Sequence, residues 1–151
     1  MSAASRGRAP LCLLLAALGA NGGAPAAAQP PGPETIPAPM RPYVPTNLRG
    51  YFIVFLMAPA QPRPIGLDLF IRHEAYLRRQ FEAGTFQVAG PLMDNGAIRG
   101  LFIVSAPTRK AAAALVAGDP LVPEGGFTVE AHPAMFPDLS AVRAEYPPHA
   151  P

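Results

Sequence analysis

Thiols, tryptophan and lysine are nearly missing from this chain: 151 residues carry one cysteine, Cys12, no tryptophan and a single lysine, Lys110. Cys12 opens an apolar run near the N-terminus, is badly placed for lipid attachment and has no partner thiol. Disulfides, a cysteine nucleophile and Cys-based zinc sites are therefore excluded from the folded domain. Charge is sparse as well, at 15% of residues, with 12 Lys and Arg against 10 Asp and Glu. The arginines are scattered and form no basic stripe, so the footprint of a nucleic-acid binder is missing. No Gly-rich phosphate loop, GxSxG elbow or kinase-type set occurs, which leaves nucleotide-driven and serine-nucleophile chemistry unsupported and implies no cofactor.

The N-terminus supplies the first positive signal. Arg6 and Arg8 precede the apolar run Leu11 to Leu18, and Ala26-Ala27-Ala28 offers small residues for cleavage, so residues 1–28 read as a secretory signal peptide. The run is well short of the roughly 20 apolar residues of a spanning helix, and Gly19, Gly22, Gly23 and Pro25 interrupt it. A periplasmic or secreted protein with no membrane span after signal removal is expected. Without Arg6 and Arg8 the bases fall level with the 10 acids, so the basic character belongs mostly to the leader.

Residues 29–48 hold prolines at 30, 31, 33, 37, 39, 42 and 45, which remove backbone donors and fix φ; a stiff extended linker is predicted. One domain, residues 49–136, follows. Gly50 to Met57 is a β-branched and aromatic run of strand length ended by Ala58-Pro59. A helix from Asp68, its predicted cap, to Glu82 repeats Phe70, His73, Leu77 and Phe81 at three- and four-residue spacing, with Glu74 and Arg78 paired on the other side and Gly84 as the stop. Phe86 to Leu92 and Ile98 to Ser105 form a hairpin through Asp94-Asn95-Gly96. A second helix, capped by Ser105 or Thr108, runs to Ala117 and closes at Gly118; a turn with Gly125-Gly126 leads to a last strand, Phe127 to His132. The tail, residues 137–151, has too few apolar residues to bury and is expected to be loosely ordered.

The order βαββαβ predicts an α+β, ferredoxin-like fold: a four-stranded antiparallel sheet of order 4-1-3-2 with both helices on one face. Tyr51 to Met57 and Leu101 to Val104 are apolar on both faces, as central strands should be, whereas Phe127-Thr128-Val129-Glu130 alternates like an edge. The second apolar face needs cover, and a homodimer joined sheet to sheet supplies it; the alternative is the Pro-rich arm or the tail folding over it.

This topology also makes the two helices antiparallel, so the start of the first and the end of the second share one end of the domain. His73 and Asp119 both fall there. Each has a plain structural reading, a satisfied core histidine and an Asp-Pro turn former, but together they form an acid-imidazole pair suited to proton transfer. Gly90 and Pro91 end the second strand at the same place and predict a wall where backbone approaches a ligand. Arg72 is a candidate for orienting an anionic substrate, with a solvated helix face as its other reading. His132 and His149 lack ligand spacing with His73, so no built-in metal site is expected.

Arg72-His73-Glu74-Ala75-Tyr76-Leu77, then Gly84, Gly90-Pro91, the helix ending at Ala117 and finally Asp119-Pro120 before a closing strand resemble the YciI-like (YCII-related) family, over about Gly50 to Phe136. That family is similar in fold to the dimeric α/β-barrel superfamily, and its shared His and Asp have been taken to suggest enzymatic activity. The resemblance implies catalytic roles for His73 and Asp119 and a small-molecule ligand held near Arg72, Gly90, Pro91 and Pro120. Leu121 stands where an aromatic often follows the Asp-Pro pair, so stacking at that wall is not expected. The expectation is a His/Asp-dependent isomerase or lyase acting on a small carbonyl, lactone or ring compound. Its competitor is a non-catalytic ligand-binding or dimeric assembly module.

Overall fold

The structure is a computed structural model describing residues 29–148. The leader, residues 1–28 with Cys12, and His149 lie outside the described residues. The domain runs β1 (Leu48–Met57), α1 (Leu67–Glu82), β2 (Phe86–Pro91), β3 (Ile98–Val104), α2 (Arg109–Ala117), α3 (Leu121–Gly125) and β4 (Thr128–Pro137). The strands form one antiparallel sheet in the order β2-β3-β1-β4, which is the expected 4-1-3-2 arrangement of a ferredoxin-like α+β fold.

Side-chain alternation explains why β1 and β3 are central. Phe52, Val54, Leu56, Phe102 and Val104 are buried in one core with Leu69 and Leu77 of α1 and Ala112 and Val116 of α2. The intervening Ile53, Phe55, Leu101 and Ile103 point to the other face of the sheet and are half-buried. On the β4 edge Thr128, Glu130 and His132 are exposed. Pro133 and Pro137 fit there because an edge strand does not need every donor. β4 therefore continues to Pro137 rather than ending at His132, and β1 begins at Leu48 rather than Gly50, the two ends pairing as Leu48 with Pro137.

The caps follow local chemistry. Gly84, at φ 69°, takes the left-handed position after α1, and Thr85 N–H donates back to Gln80 O at 3.0 Å. Thr108, not Ser105, caps α2 by accepting from Ala111 N–H at 3.1 Å. Asn95 sits at φ 57° in the hairpin turn, where Asp94 Oδ1 accepts from Gly96 N–H at 2.9 Å. Asp68 does not cap α1; Gly66 occupies the cap position and Asp68 lies in the first turn, where its carboxylate meets Arg72. The short helix α3 was not foreseen in the turn before β4, because Pro120 and Pro123 mask a segment that needs only one turn before Gly126 ends it at φ 76°.

The Pro-rich linker is not simply extended. Short 3₁₀ helices form at Pro33–Thr35 and Ala38–Tyr43 because the few non-proline residues supply the donors, as in Thr35 N–H to Gly32 O at 3.0 Å. Its start lies against β1: a Cβ on Gly50 would stand 2.4 Å from Pro31 O, so only glycine admits the arm there. Gly50 shares its face with Phe52, which puts this contact on the helix side of the sheet. The segment after β4 also makes specific contacts where loose order was expected. Leu139 N–H donates to Tyr51 Oη at 3.0 Å, and the Tyr146 ring lies 4.6 Å from the Arg78 guanidinium. Among the described residues no helix is long and apolar enough to cross a membrane.

Candidate functional site

The antiparallel helices bring His73, early in α1, to Asp119, the residue after the α2 cap Gly118. His73 Nδ1 and Asp119 Oδ2 are 2.6 Å apart. Asp119 is fully buried and is the buried acid of the core, while the His73 side chain keeps 13% of its surface. A carboxylate buried this deeply needs partners for both oxygens, and Oδ1 finds one in Leu121 N–H at 2.9 Å. The Asp119 carbonyl also accepts Val122 N–H at 2.9 Å, so the start of α3 is hydrogen-bonded to both the side chain and the backbone of this acid.

An ionised carboxylate only accepts, so in this pair Nδ1 of His73 is the donor, and in the neutral imidazole that leaves the lone pair on Nε2. Glu74 Oε1 stands 3.9 Å from Nε2, beyond hydrogen-bonding distance. Nε2 thus makes no hydrogen bond to the described residues of the chain, with Glu74 at ion-pair distance only.

Tyr76 supports the pair from below, its hydroxyl donating to Leu115 O at 2.6 Å and tying α1 to α2. A Cβ on Gly118 would lie 2.8 Å from that hydroxyl, which accounts for glycine at the end of α2. Burial first, and then the Asp119 charge, raise the Tyr76 phenol above its ordinary 10.0, against a smaller opposing pull from Arg79. A raised phenol holds its proton more tightly in the folded chain. Its contribution to stability is therefore complete below pH 10.0 and is lost as pH rises through the folded value. Urea midpoints should fall as the pH is taken beyond 10.0, and less steeply in Tyr76→Phe; parallel profiles for the two proteins would contradict this.

His73 opens onto a cleft of about 670 Å³ between α1, the end of the β2–β3 hairpin and the C-terminal segment. Its lining is largely apolar and includes Leu56, Phe70, Leu77, Phe81, Phe102 and Phe127. Gly90 and Pro91 line it. Of the candidates from sequence, His73, Gly90 and Pro91 border the cleft, and Asp119 stands behind His73.

Two others are placed elsewhere. Arg72 turns from the cleft to Glu124, with Nη1 to Oε1 at 2.6 Å and Nη2 to Oε2 at 2.8 Å, while its Nε holds Asp68 at 3.0 Å. That fork holds the Glu124 carboxyl below its ordinary value and docks α3 on α1. Pro120 opens α3 and stands outside the lining. Glu74 borders the cleft instead of a solvated face.

Arg99, Glu145 and Tyr146 also line the cleft, and sequence reasoning did not select them. The one local signal for Arg99 was its position just after a turn at the mouth of a strand; nothing local marked the other two. His132 lies on the opposite face of the sheet, beside Ile53 in register, and pairs with Glu130 at 3.0 Å. Among the described residues no group of three or more His, Cys, Asp or Glu side chains is placed to hold a metal ion.

Among solved structures the chain is similar to 5-chloro-2-hydroxyhydroquinone dehydrochlorinase (TftG) from Burkholderia phenoliruptrix AC1100, determined with 2,5-dihydroxybenzoquinone. Identity is 23% over 54% of this chain and 90% of that one, with a TM-score of 0.37. No curated protein matches. The pattern of the YCII-related domain matches residues 54–131, from the middle of β1 into β4 and across both His73 and Asp119. That stretch is more than half of the sequence, and on it the chain belongs to the YCII-related domain family.

Proposed function

We propose that the cleft is an active site in which His73, oriented by Asp119, moves a proton on a small, partly apolar carbonyl, lactone or ring compound. The observation that carries this reading is the 2.6 Å contact between His73 Nδ1 and a fully buried Asp119, with His73 on the wall of a largely apolar cleft. In the proposed step Nε2 takes a proton from the carbon next to a carbonyl, and the electron pair moves onto the carbonyl oxygen. Asp119 balances the imidazolium that forms. Return of the proton to a different atom is isomerisation; expulsion of a leaving group from the next carbon is elimination. A turnover screen over small ketones, lactones and quinone-type rings tests it, with His73→Ala and Asp119→Asn as controls. Turnover unchanged in both variants would remove the proposed roles.

The assembly in which this site works is, on our reading, a homodimer joined through the open face of the sheet. Ile53, Phe55, Leu101 and Ile103 form a continuous half-buried apolar patch there, and the arm meets the sheet on the helix side. Light scattering should give twice the chain mass for the wild type and one chain mass for Phe55→Arg. A monomeric wild type at micromolar concentration ends this part of the proposal.

We also place the working protein outside the cytoplasm, on the strength of Arg6, Arg8, the Leu11 to Leu18 run and the alanines before Gln29. N-terminal sequencing of protein recovered from the periplasm or medium should begin near Gln29. Recovery only from the cytoplasm with Met1 intact is the contrary result.

A further inference from the structure

The reading of the cleft as a ligand site leaves its charge unexplained. Its ionisable lining is His73, Glu74, Glu145, Tyr146 and one cation, Arg99. Other arginines near the helices already have anionic or carbonyl partners: Arg72 holds Glu124 and Asp68, and Arg63 donates to the Glu124 carbonyl. Among the described residues no carboxylate lies within ion-pair distance of Arg99, although Glu74 and Glu145 line the same cleft.

Backbone geometry aims this residue. β1 and β3 pair Leu56 with Gly100 and then Met57 with Ile98, so the ladder slips and Arg99 is the extra residue of a bulge. Bulges re-aim a side chain that strict alternation would send to the other face, and they recur beside binding sites. On a regular β3 Arg99 would share the face of Leu101, away from α1; instead it is half-buried and lines the cleft with His73. The bulge is pinned on both sides, by Leu92 N–H to Arg99 O at 2.9 Å and Ala58 N–H to Ala97 O at 2.8 Å.

We infer that the ligand of this cleft is a small organic acid with an apolar body, and that Arg99 is the residue that binds its carboxylate. A guanidinium matches a carboxylate through two parallel hydrogen bonds, and the surrounding leucine and phenylalanine side chains weaken competition from water. The apolar body lies over Phe102 and Leu77, which leaves its far end to His73 Nε2. Arg99 thus takes the orienting role that sequence alone had suggested for Arg72. This inference rests on the cleft being the ligand site, but not on any turnover there.

The test is therefore equilibrium binding to the full chain. Benzoate and cyclohexanecarboxylate are compared with benzamide and cyclohexanecarboxamide by calorimetry and by chemical-shift titration, with thermal melts confirming that each variant is folded. The wild type should bind the carboxylates about 10- to 100-fold more tightly than the amides. Arg99→Gln should erase the preference, Arg99→Lys should keep part of it, and Arg72→Gln should leave it intact. His73→Ala should keep the preference as well, which separates anion recognition from proton transfer. Equal binding of acids and amides, an undiminished preference in Arg99→Gln, or binding of none of the four probes overturns the inference.

Discussion

Asp119→Asn should lower turnover about 100- to 10,000-fold while leaving the fold in place. The reason lies in which atoms Asp119 serves. Oδ1 accepts from Leu121 N–H, so an asparagine keeps its oxygen on that side and turns its NH₂ toward His73. An NH₂ only donates, so Nδ1 must then accept and the ring proton moves to Nε2. Nε2 loses its lone pair, and no carboxylate remains to balance an imidazolium. Two-dimensional nitrogen spectra of the imidazole read this tautomer change directly, without any substrate. Asp119→Ala differs, because it also strands a buried N–H on Leu121, and should cost about 1 to 3 kcal/mol by urea unfolding. A wild-type tautomer in Asp119→Asn would show that the carboxylate does not set the ring.

The largest stability loss is expected at Phe86. This residue, 2% exposed, meets Tyr76 at 6.2 Å, Phe81 at 6.2 Å and Phe102 at 5.5 Å between ring centroids, all edge-on. Edge-to-face packing of this kind adds to simple area burial, and the space left by truncation cannot be refilled by rigid rings. Phe86→Ala should therefore cost about 3 to 5 kcal/mol, a large part of the roughly 5 to 15 kcal/mol of an ordinary domain. The urea midpoint should drop with little change in slope. Phe81 and Phe102 line the cleft, so ligand affinity should weaken along with stability. A loss below about 1 kcal/mol would mean that the cluster repacks and that Phe86 is not its keystone.

Much of the site was legible because chain direction is a simple function of element order. Once the order βαββαβ is read, the helices must run antiparallel, and His73 and Asp119 must share an end whatever their exact contacts. Arg72 shows where such reasoning stops. At the sequence level an arginine beside the histidine is as able to face a ligand as to face solvent. Its true partner, Glu124, sits on a one-turn helix 52 positions away that no periodicity announces.

The sequence by itself determined the four strands and the two longer helices to within a few residues at their ends, the stops at Gly84 and Gly118, the turn at Asp94-Asn95-Gly96 and the end of the domain where imidazole and acid meet; it did not announce α3. These follow from local sterics, hydrogen-bond supply and side-chain period, which act within a few residues. Tertiary structure alone decided which arginine enters the cleft, that Glu74 borders it, that β4 runs on to Pro137 and that the C-terminal segment brings Tyr146 to its wall. Each of those depends on a slipped ladder or a partner distant in the chain. The energies that choose among such partners are small beside those that form the elements, so no local pattern records the choice.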